Sequence, residues 1–220
     1  MLKVENLDVE IAGVDVLRRV SFTLTAGAVT VLVGRNGAGK TTTLRAIMGL
    51  LPWKGGRVEV DGTELGGLPG NARAGIGLGY APEDRRLIPD LSVEENILVP
   101  GLARKMPAPE LKQRLDEVYD LLPQLGTLRA RPAGGVSGGQ GKIVALGRAL
   151  MIADKVLMLD EPFQGLAPAL ALDYARTLQR CHEQKRDIAI LVTESTPKLL
   201  DAIASDTLLL ERGEIVRAEP

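Results

Sequence analysis

The chain has 220 residues, 45% of them hydrophobic and 25% charged, enough for one domain with a sizeable core. A formal net charge of -1 gives no general attraction to nucleic acid or to an anionic membrane surface. The single cysteine, Cys181, excludes an internal disulfide and a cysteine-rich zinc cluster, and no apolar stretch is long enough to span a bilayer. No signal-peptide pattern opens the chain, so any membrane association is expected to pass through another subunit rather than by direct insertion.

Residues 1–30 alternate apolar and polar positions, as in Leu2-Val4 and Val20-Phe22-Leu24, which predicts antiparallel strands. The run Val29 to Val33 predicts a buried strand, and Thr42 to Met48 a helix. Between them lies Gly34-Arg35-Asn36-Gly37-Ala38-Gly39-Lys40-Thr41-Thr42, which fits G-x-x-x-x-G-K-[ST]. Its glycines let successive N–H groups point inward at an anion, and the positive end of the helix adds to that field. Lys40 is expected to reach terminal phosphates, and Thr41 to ligate Mg²⁺. This motif alone does not separate a kinase, a GTPase, a recombinase or a transport ATPase.

Arg57 to Gly62 reads as a strand ending in a turn, and 66–75 as a glycine-rich surface loop. From about 92 to 135 the pattern is helical. Pro109 and Glu110 open a helix whose Leu111, Leu115, Val118 and Leu122 share one face, a core stripe rather than a partner groove. Residues 101–109 read as a mobile connection, and Arg85, Arg86, Arg104 and Lys105 as solvated charges.

Ser137-Gly138-Gly139-Gln140 precedes a helical stretch from Ile143 to Met151. It reads either as an ordinary N-cap serine with a glycine turn or as a second anion site at a helix N-terminus. Two phosphate sites on one chain would be resolved by a head-to-tail dimer, each serine loop touching the nucleotide held by the other subunit. Val156 to Leu159 predicts another buried strand, ending in Asp160 and Glu161. A carboxylate there stands where α/β sheets bind ligands. Asp160 is expected to hold Mg²⁺ through water, and Glu161 to polarise an attacking water. Beyond it, helices over 169–184 and 197–204 alternate with strands over 188–193 and 206–211, which predicts a parallel sheet with helices on its faces.

These three motifs, in this order, resemble the ATPase subunits of ABC transporters over essentially the whole chain, where they are called Walker A, signature and Walker B. The resemblance implies a single α/β domain over 1–220: a P-loop ATPase with a mostly parallel core sheet, an N-terminal antiparallel β subdomain, and a helical subdomain inserted at about 83–150. It implies Mg-dependent ATP hydrolysis by two such subunits, identical or related. The helical insert would dock transmembrane permease subunits at the cytoplasmic face of the cell membrane, with no nucleic-acid partner. Gly79 to Arg86, Pro89, Leu91 to Ile97 and Gly165-Leu166-Ala167-Pro168 are similar to the branched-chain amino-acid importer ATPases. Urea and short-amide importers share such stretches.

The resemblance also implies roles by position. Ser137, Gly138, Gly139 and Gln140 would meet the nucleotide of the other subunit. Glu83 stands where the family usually places a metal-contacting glutamine. Ile11 stands where many relatives stack an aromatic ring on adenine, and Val16 would cover the other edge. An isoleucine cannot supply π-stacking, so weaker adenine affinity and poorer base discrimination are expected. The usual phosphate-contacting histidine is replaced by Ser195, and the one histidine, His182, falls on a predicted helix and reads as a surface residue. A hydroxyl donates one hydrogen bond and does not titrate near neutrality, so slower hydrolysis led by Glu161 is expected. Val136 replaces a leucine, Gly141 weakens the start of its helix, and Phe163-Gln164 replaces a threonine or serine. Phe163 reads equally as an interface or a core residue. A regulatory ATP-binding module with weak or no ATPase activity is the alternative. A chromosome-type ATPase would need long coiled-coil insertions for which the chain has no room.

Overall fold

The structure, a computed structural model, describes residues 1–216. The alternating pattern at its start folds as a hairpin of β1 (Leu2–Ile11) and β2 (Val14–Leu24). Leu2, Val4, Leu7 and Val9 from one strand and Leu17, Val20, Phe22 and Leu24 from the other bury one face. β3 (Val29–Val33) then enters a second sheet and leads to helix α1 (Lys40–Ile47). β4 (Gly55–Val60) returns to pair antiparallel with β1, and β5 (Thr63–Glu64) completes a four-stranded sheet in the order β2-β1-β4-β5.

The segment expected to be a glycine-rich loop contains a short helix, α2 (Gly70–Gly75). Arg73 accounts for it. Its buried guanidinium donates to the carbonyls of Leu68, Ala46 and Ile47 at 2.8, 2.8 and 2.9 Å, and lies 4.6 Å over the Trp53 ring. Two of those contacts fall on the last carbonyls of α1: Ile47, and Ala46, which also accepts the Gly49 N–H at 2.9 Å.

The remaining strands are β6 (Leu78–Ala81), β7 (Val156–Asp160), β8 (Ala189–Glu194), β9 (Asp206–Glu211) and β10 (Glu214–Val216). With β3 they form a six-stranded sheet, β10-β9-β3-β8-β7-β6, parallel except for the β9–β10 hairpin. Leu157 and Leu159 pack into one core, and Val156 and Met158 into another on the opposite face. Burial on both faces is why β3, β7 and β8 read as continuous apolar runs. The fold is therefore α/β, with a mostly parallel core sheet and an antiparallel N-terminal sheet.

Between β6 and β7 come α3 (Val93–Ala103), α4 (Ala108–Leu121) and α5 (Gly138–Leu150). Ser92 and Glu95 cap α3 reciprocally. Gly101 belongs to α3 and Pro109 to α4, so the expected connection shrinks to residues 104–107. Arg104 is half-buried and pairs with Asp154 at 3.5 Å, so it is not a purely solvated charge. Leu115, Val118 and Leu122 are buried as the stripe required. Helix α6 (Pro168–Gln184) connects β7 to β8. His182 is half-buried on it, because it sits four residues after the buried Leu178 and shares that face. Its Nδ1 is buried and has no partner among the described residues. Residues 197–204 make only a short 3₁₀ turn at Pro197–Leu199, since Leu200 is anchored in the core and the chain then turns into β9.

β6 packs tightly against the end of α5 at Gly79. A Cβ there would lie 2.4 Å from the Ala149 carbonyl oxygen and 2.8 Å from the Ala153 Cβ. Gly79→Val is expected to destabilise the fold by about 1–3 kcal/mol through overpacking, read as a lower midpoint in a urea melt.

Candidate active site

The site forms at the carboxyl ends of β3, β7 and β8, which the parallel register brings side by side. Val33 is opposite Glu194, and Asp160 is opposite Thr193. The loop after β3 turns into α1 at Gly39, whose φ of +112° and contact with Leu17 leave no room for a side chain. Helix α1 opens with no side-chain cap, so its first-turn amides stay free for an anion.

Lys40 is buried, and its ammonium folds back over the loop. It donates to the carbonyls of Gly34 at 2.6 Å and Arg35 at 3.2 Å, and to Ser195 Oγ at 3.2 Å. It also pairs with Glu161 Oε1 at 2.9 Å. Ser195 Oγ lies 3.2 Å from both Glu161 Oε1 and Asn36 Oδ1, so its one proton can serve either.

Asp160 is held by three hydroxyls. Thr41 Oγ1 and Thr193 Oγ1 donate to its Oδ1 at 3.0 and 2.9 Å, and the Tyr80 hydroxyl donates to its Oδ2 at 3.1 Å. Burial pushes the Tyr80 pKa upward, which keeps the phenol a donor. Glu161 has a φ of +45°, a left-handed conformation rare outside glycine. Its N–H donates to both the carbonyl and Oγ1 of Thr193, each at 3.1 Å. The next carboxyl along β8, Glu194, accepts the Phe163 N–H at 3.1 Å. Phe163 itself is buried and packs edge-on against Tyr174, with centroids 5.6 Å apart, so it is a core residue.

Lys40, Thr41 and Glu161 line a cleft of about 350 Å³ together with Val16, Asn36, Gly37, Gly39, Thr42, Glu83 and Gln164. Ala38 is buried in the loop, and the Arg35 side chain is exposed. Ile11 stands at the exposed end of the β1–β2 hairpin and does not line the cleft, whereas Val16 does. No aromatic ring lines it. Ser137, Gly138, Gly139 and Gln140 lie outside the cleft, at the start of α5. There Ser137 Oγ accepts the Gln140 N–H at 3.3 Å, and Gln140 Oε1 accepts the Ser137 N–H at 2.9 Å. The N-cap reading of this serine is thus met within the chain.

Thr41, Asp160 and Glu83 supply hard oxygen donors, but among the described residues no cluster of three His, Cys, Asp or Glu could hold a metal. So sparse a set suits magnesium, which takes one or two carboxylates and fills its remaining positions with water and phosphate. Tyr80, Thr193, Gln164, Glu194 and Lys142 were not read from the sequence as site residues. Thr193 and Tyr80 had a signal, as polar side chains near the ends of strands flanking β7. Lys142 had none, since its partner is a backbone carbonyl.

Residues 17–164 match the family described as ABC transporter. The chain is 31% identical over 216 residues to the high-affinity branched-chain amino acid transport ATP-binding protein BraG of Pseudomonas aeruginosa, covering 98% of this chain and 91% of that protein. It is 30% identical over 217 residues to the lipopolysaccharide export system ATP-binding protein LptB of Escherichia coli K12, covering 98% and 88%. Among solved structures, the dimeric bacterial ABC transporter cassette MJ0796 has a TM-score of 0.86 at 22% identity, covering 100% of this chain and 98% of that one, a likeness of fold.

Burial pushes the Glu194 carboxyl from its ordinary 4.5 up to about 7. The folded state therefore holds this proton where the unfolded state has released it. The resulting penalty is absent below pH 4.5, grows as pH rises to about 7, and is constant above that. Glu194→Gln is expected to remove up to about 3 kcal/mol of this loss. The check is a thermal melt of both proteins across pH 4 to 8, where the variant should show the smaller fall in Tm over about pH 4.5–7.

Proposed function

The chain is a member of the ABC transporter family and a Mg-dependent ATPase, and we propose that it energises an importer of branched-chain or other hydrophobic amino acids, or of a related urea or amide. ATPase subunits of this family pair with one another and work with transmembrane permease subunits. Here the second ATPase subunit is an identical or related chain, and the pair sits on the cytoplasmic face of the cell membrane. Among the described residues no helix is long and apolar enough to cross a membrane. The helical segment at about 83–150 is the proposed dock for the permeases.

The observation that carries the catalytic reading is the convergence of Lys40, Glu161 and Ser195 within 3.2 Å of one another, beside Thr41 on Asp160. In this reading Lys40 and the amides of residues 35–42 hold the β- and γ-phosphates. Thr41, Asp160 and Glu83 would hold magnesium, which when bound neutralises charge on those phosphates. Glu161 orients water for in-line attack, and Ser195 donates a single hydrogen bond to the γ-phosphate. Ser137 to Gln140 close on the nucleotide of the opposite subunit. Val16 packs on the base from its place in the cleft. Amino-acid cargo is supported by the stretch from Gly79 to Ile97 and by the likeness to the branched-chain relative.

Glu161→Gln is expected to cut turnover by at least about a hundredfold while ATP still binds. Lys40→Ala should weaken both binding and turnover. Steady-state hydrolysis and equilibrium ATP binding by the full chain check both. Full turnover in Glu161→Gln would remove its assigned role, and no wild-type turnover even with permeases would favour a regulatory module. Leucine uptake into vesicles carrying the assembled transporter tests the cargo; no uptake above the ATP-free control would sink the branched-chain assignment.

The cleft has no ring to stack on a base, so ATP and GTP are expected to bind within about tenfold of each other. Competition between the two nucleotides for the purified chain measures this directly.

A further inference from the structure

Lys142 does not line the nucleotide cleft and takes no part in the mechanism above. It sits early in α5, the helix that begins at the Ser137 loop. Its ammonium donates to the backbone carbonyl of Glu161 at 2.6 Å. The same oxygen accepts the Gln164 N–H at 3.2 Å, so a charged donor and a turn amide converge on it.

Glu161 needs such support. Its left-handed backbone costs a non-glycine residue free energy and persists only where the surroundings over-determine it. Its N–H, its carbonyl and one carboxylate oxygen, Oε1, are all held. Thr193 takes the N–H, Lys40 and Ser195 take the carboxylate, and Lys142 and Gln164 take the carbonyl. Thr193 and Ser195 come from the end of β8, and Lys40 from the start of α1. Lys142 alone comes from the helices inserted between β6 and β7.

Helix α5 is also tied to the segment that carries Glu83. The Arg148 guanidinium donates to the carbonyls of Arg86, at 2.6 Å, and Arg85. The Arg85 side chain lies against Gly141, where a Cβ would sit 3.0 Å from its Cδ. Gly141 therefore leaves space for Arg85, whatever it costs in helix propensity. These contacts join α5 and the Glu83 segment into one unit, and Lys142 is where that unit grips the acidic turn.

We propose that Lys142 is a positioning residue, whose bond to the Glu161 carbonyl registers the Ser137-loop helix against the acidic turn and so aims the Glu161 carboxylate. The proposal rests on the reading of Glu161 as the water-activating group. Burial pulls the Lys142 pKa down, and the nearby carboxylates of Glu194, Glu83 and Glu161 oppose that.

Lys142→Met and Lys142→Gln remove the bond, while Lys142→Arg keeps a charged donor. Single-turnover Mg-ATP hydrolysis, Mg-ATP affinity and Tm are measured for each full-length variant. The two removing variants are expected to lose about ten- to a hundredfold in turnover. Their ATP affinity should stay within about twofold of wild type, and arginine should recover most of the rate. In a Glu161→Gln background, Lys142→Met should add no further loss, because the group it aims is gone. Unchanged turnover in both removing variants would overturn the proposal. So would a loss matched by equal falls in ATP affinity and Tm, the mark of packing alone, or an additive loss in the Glu161→Gln background. If Glu161→Gln alone kept full turnover, the role of Glu161 would fail, and the proposal with it. A Glu161→Gln defect without a Lys142 defect would overturn only the link.

Discussion

A buried ammonium and a buried carboxylate, Lys40 and Glu161, face each other at 2.9 Å, and the site is organised around that pair. Neither charge is tolerable alone in such a place, because an unpaired buried ion pays a desolvation penalty of several kcal/mol. The pair is also the point of conflict for a triphosphate. In the proposed mechanism, phosphate oxygens would compete with Glu161 for the same ammonium, and a carboxylate released from it would be a better acceptor for a water proton. In the proposed mechanism, substrate binding and activation of Glu161 are therefore one electrostatic exchange.

The sheet makes this pair possible. Parallel register sets Gly34, Asp160 and Glu194 at the same edge, and burial on both faces leaves that edge as the place where polar groups can collect. Three hydroxyls then hold Asp160, and the Thr193 hydroxyl and backbone hold the Glu161 N–H. Thr193 bridges the two acids: it fixes the rotamer of one and the backbone of the other. The strained backbone of Glu161 is sustained by neighbours from several elements, which is how a rare conformation survives in a stable core.

Much of this was legible in the chain because it is local. The loop from Gly34 to Thr42 carries its own geometry, and the apolar runs before Gly34 and Asp160 announce buried strands. What could not be read depends on partners distant in sequence. Arg73 turned an expected loop into a helix by reaching carbonyls of α1. Gly141 reads by propensity alone as a weak helix former, whereas in the fold the Arg85 side chain lies against it. Ile11 and Val16 are both apolar residues on the first hairpin, and only the strand register decides that Val16 reaches the cleft. Ser195 lay one residue beyond β8, and its placement against Lys40 followed from that strand end.

The contact of Arg73 with Trp53 has a practical side. Trp53 is the one tryptophan in the chain, and the cation over its ring also bonds the last carbonyls of α1. Helix α1 is eight residues long, so its far end lies about 12 Å from the glycine-rich loop after β3. The protein thus carries an intrinsic fluorophore wired by a guanidinium to the helix that follows the glycine-rich loop. Indole emission, quenched or released as that cation shifts, can follow motions of the helix in unlabelled protein.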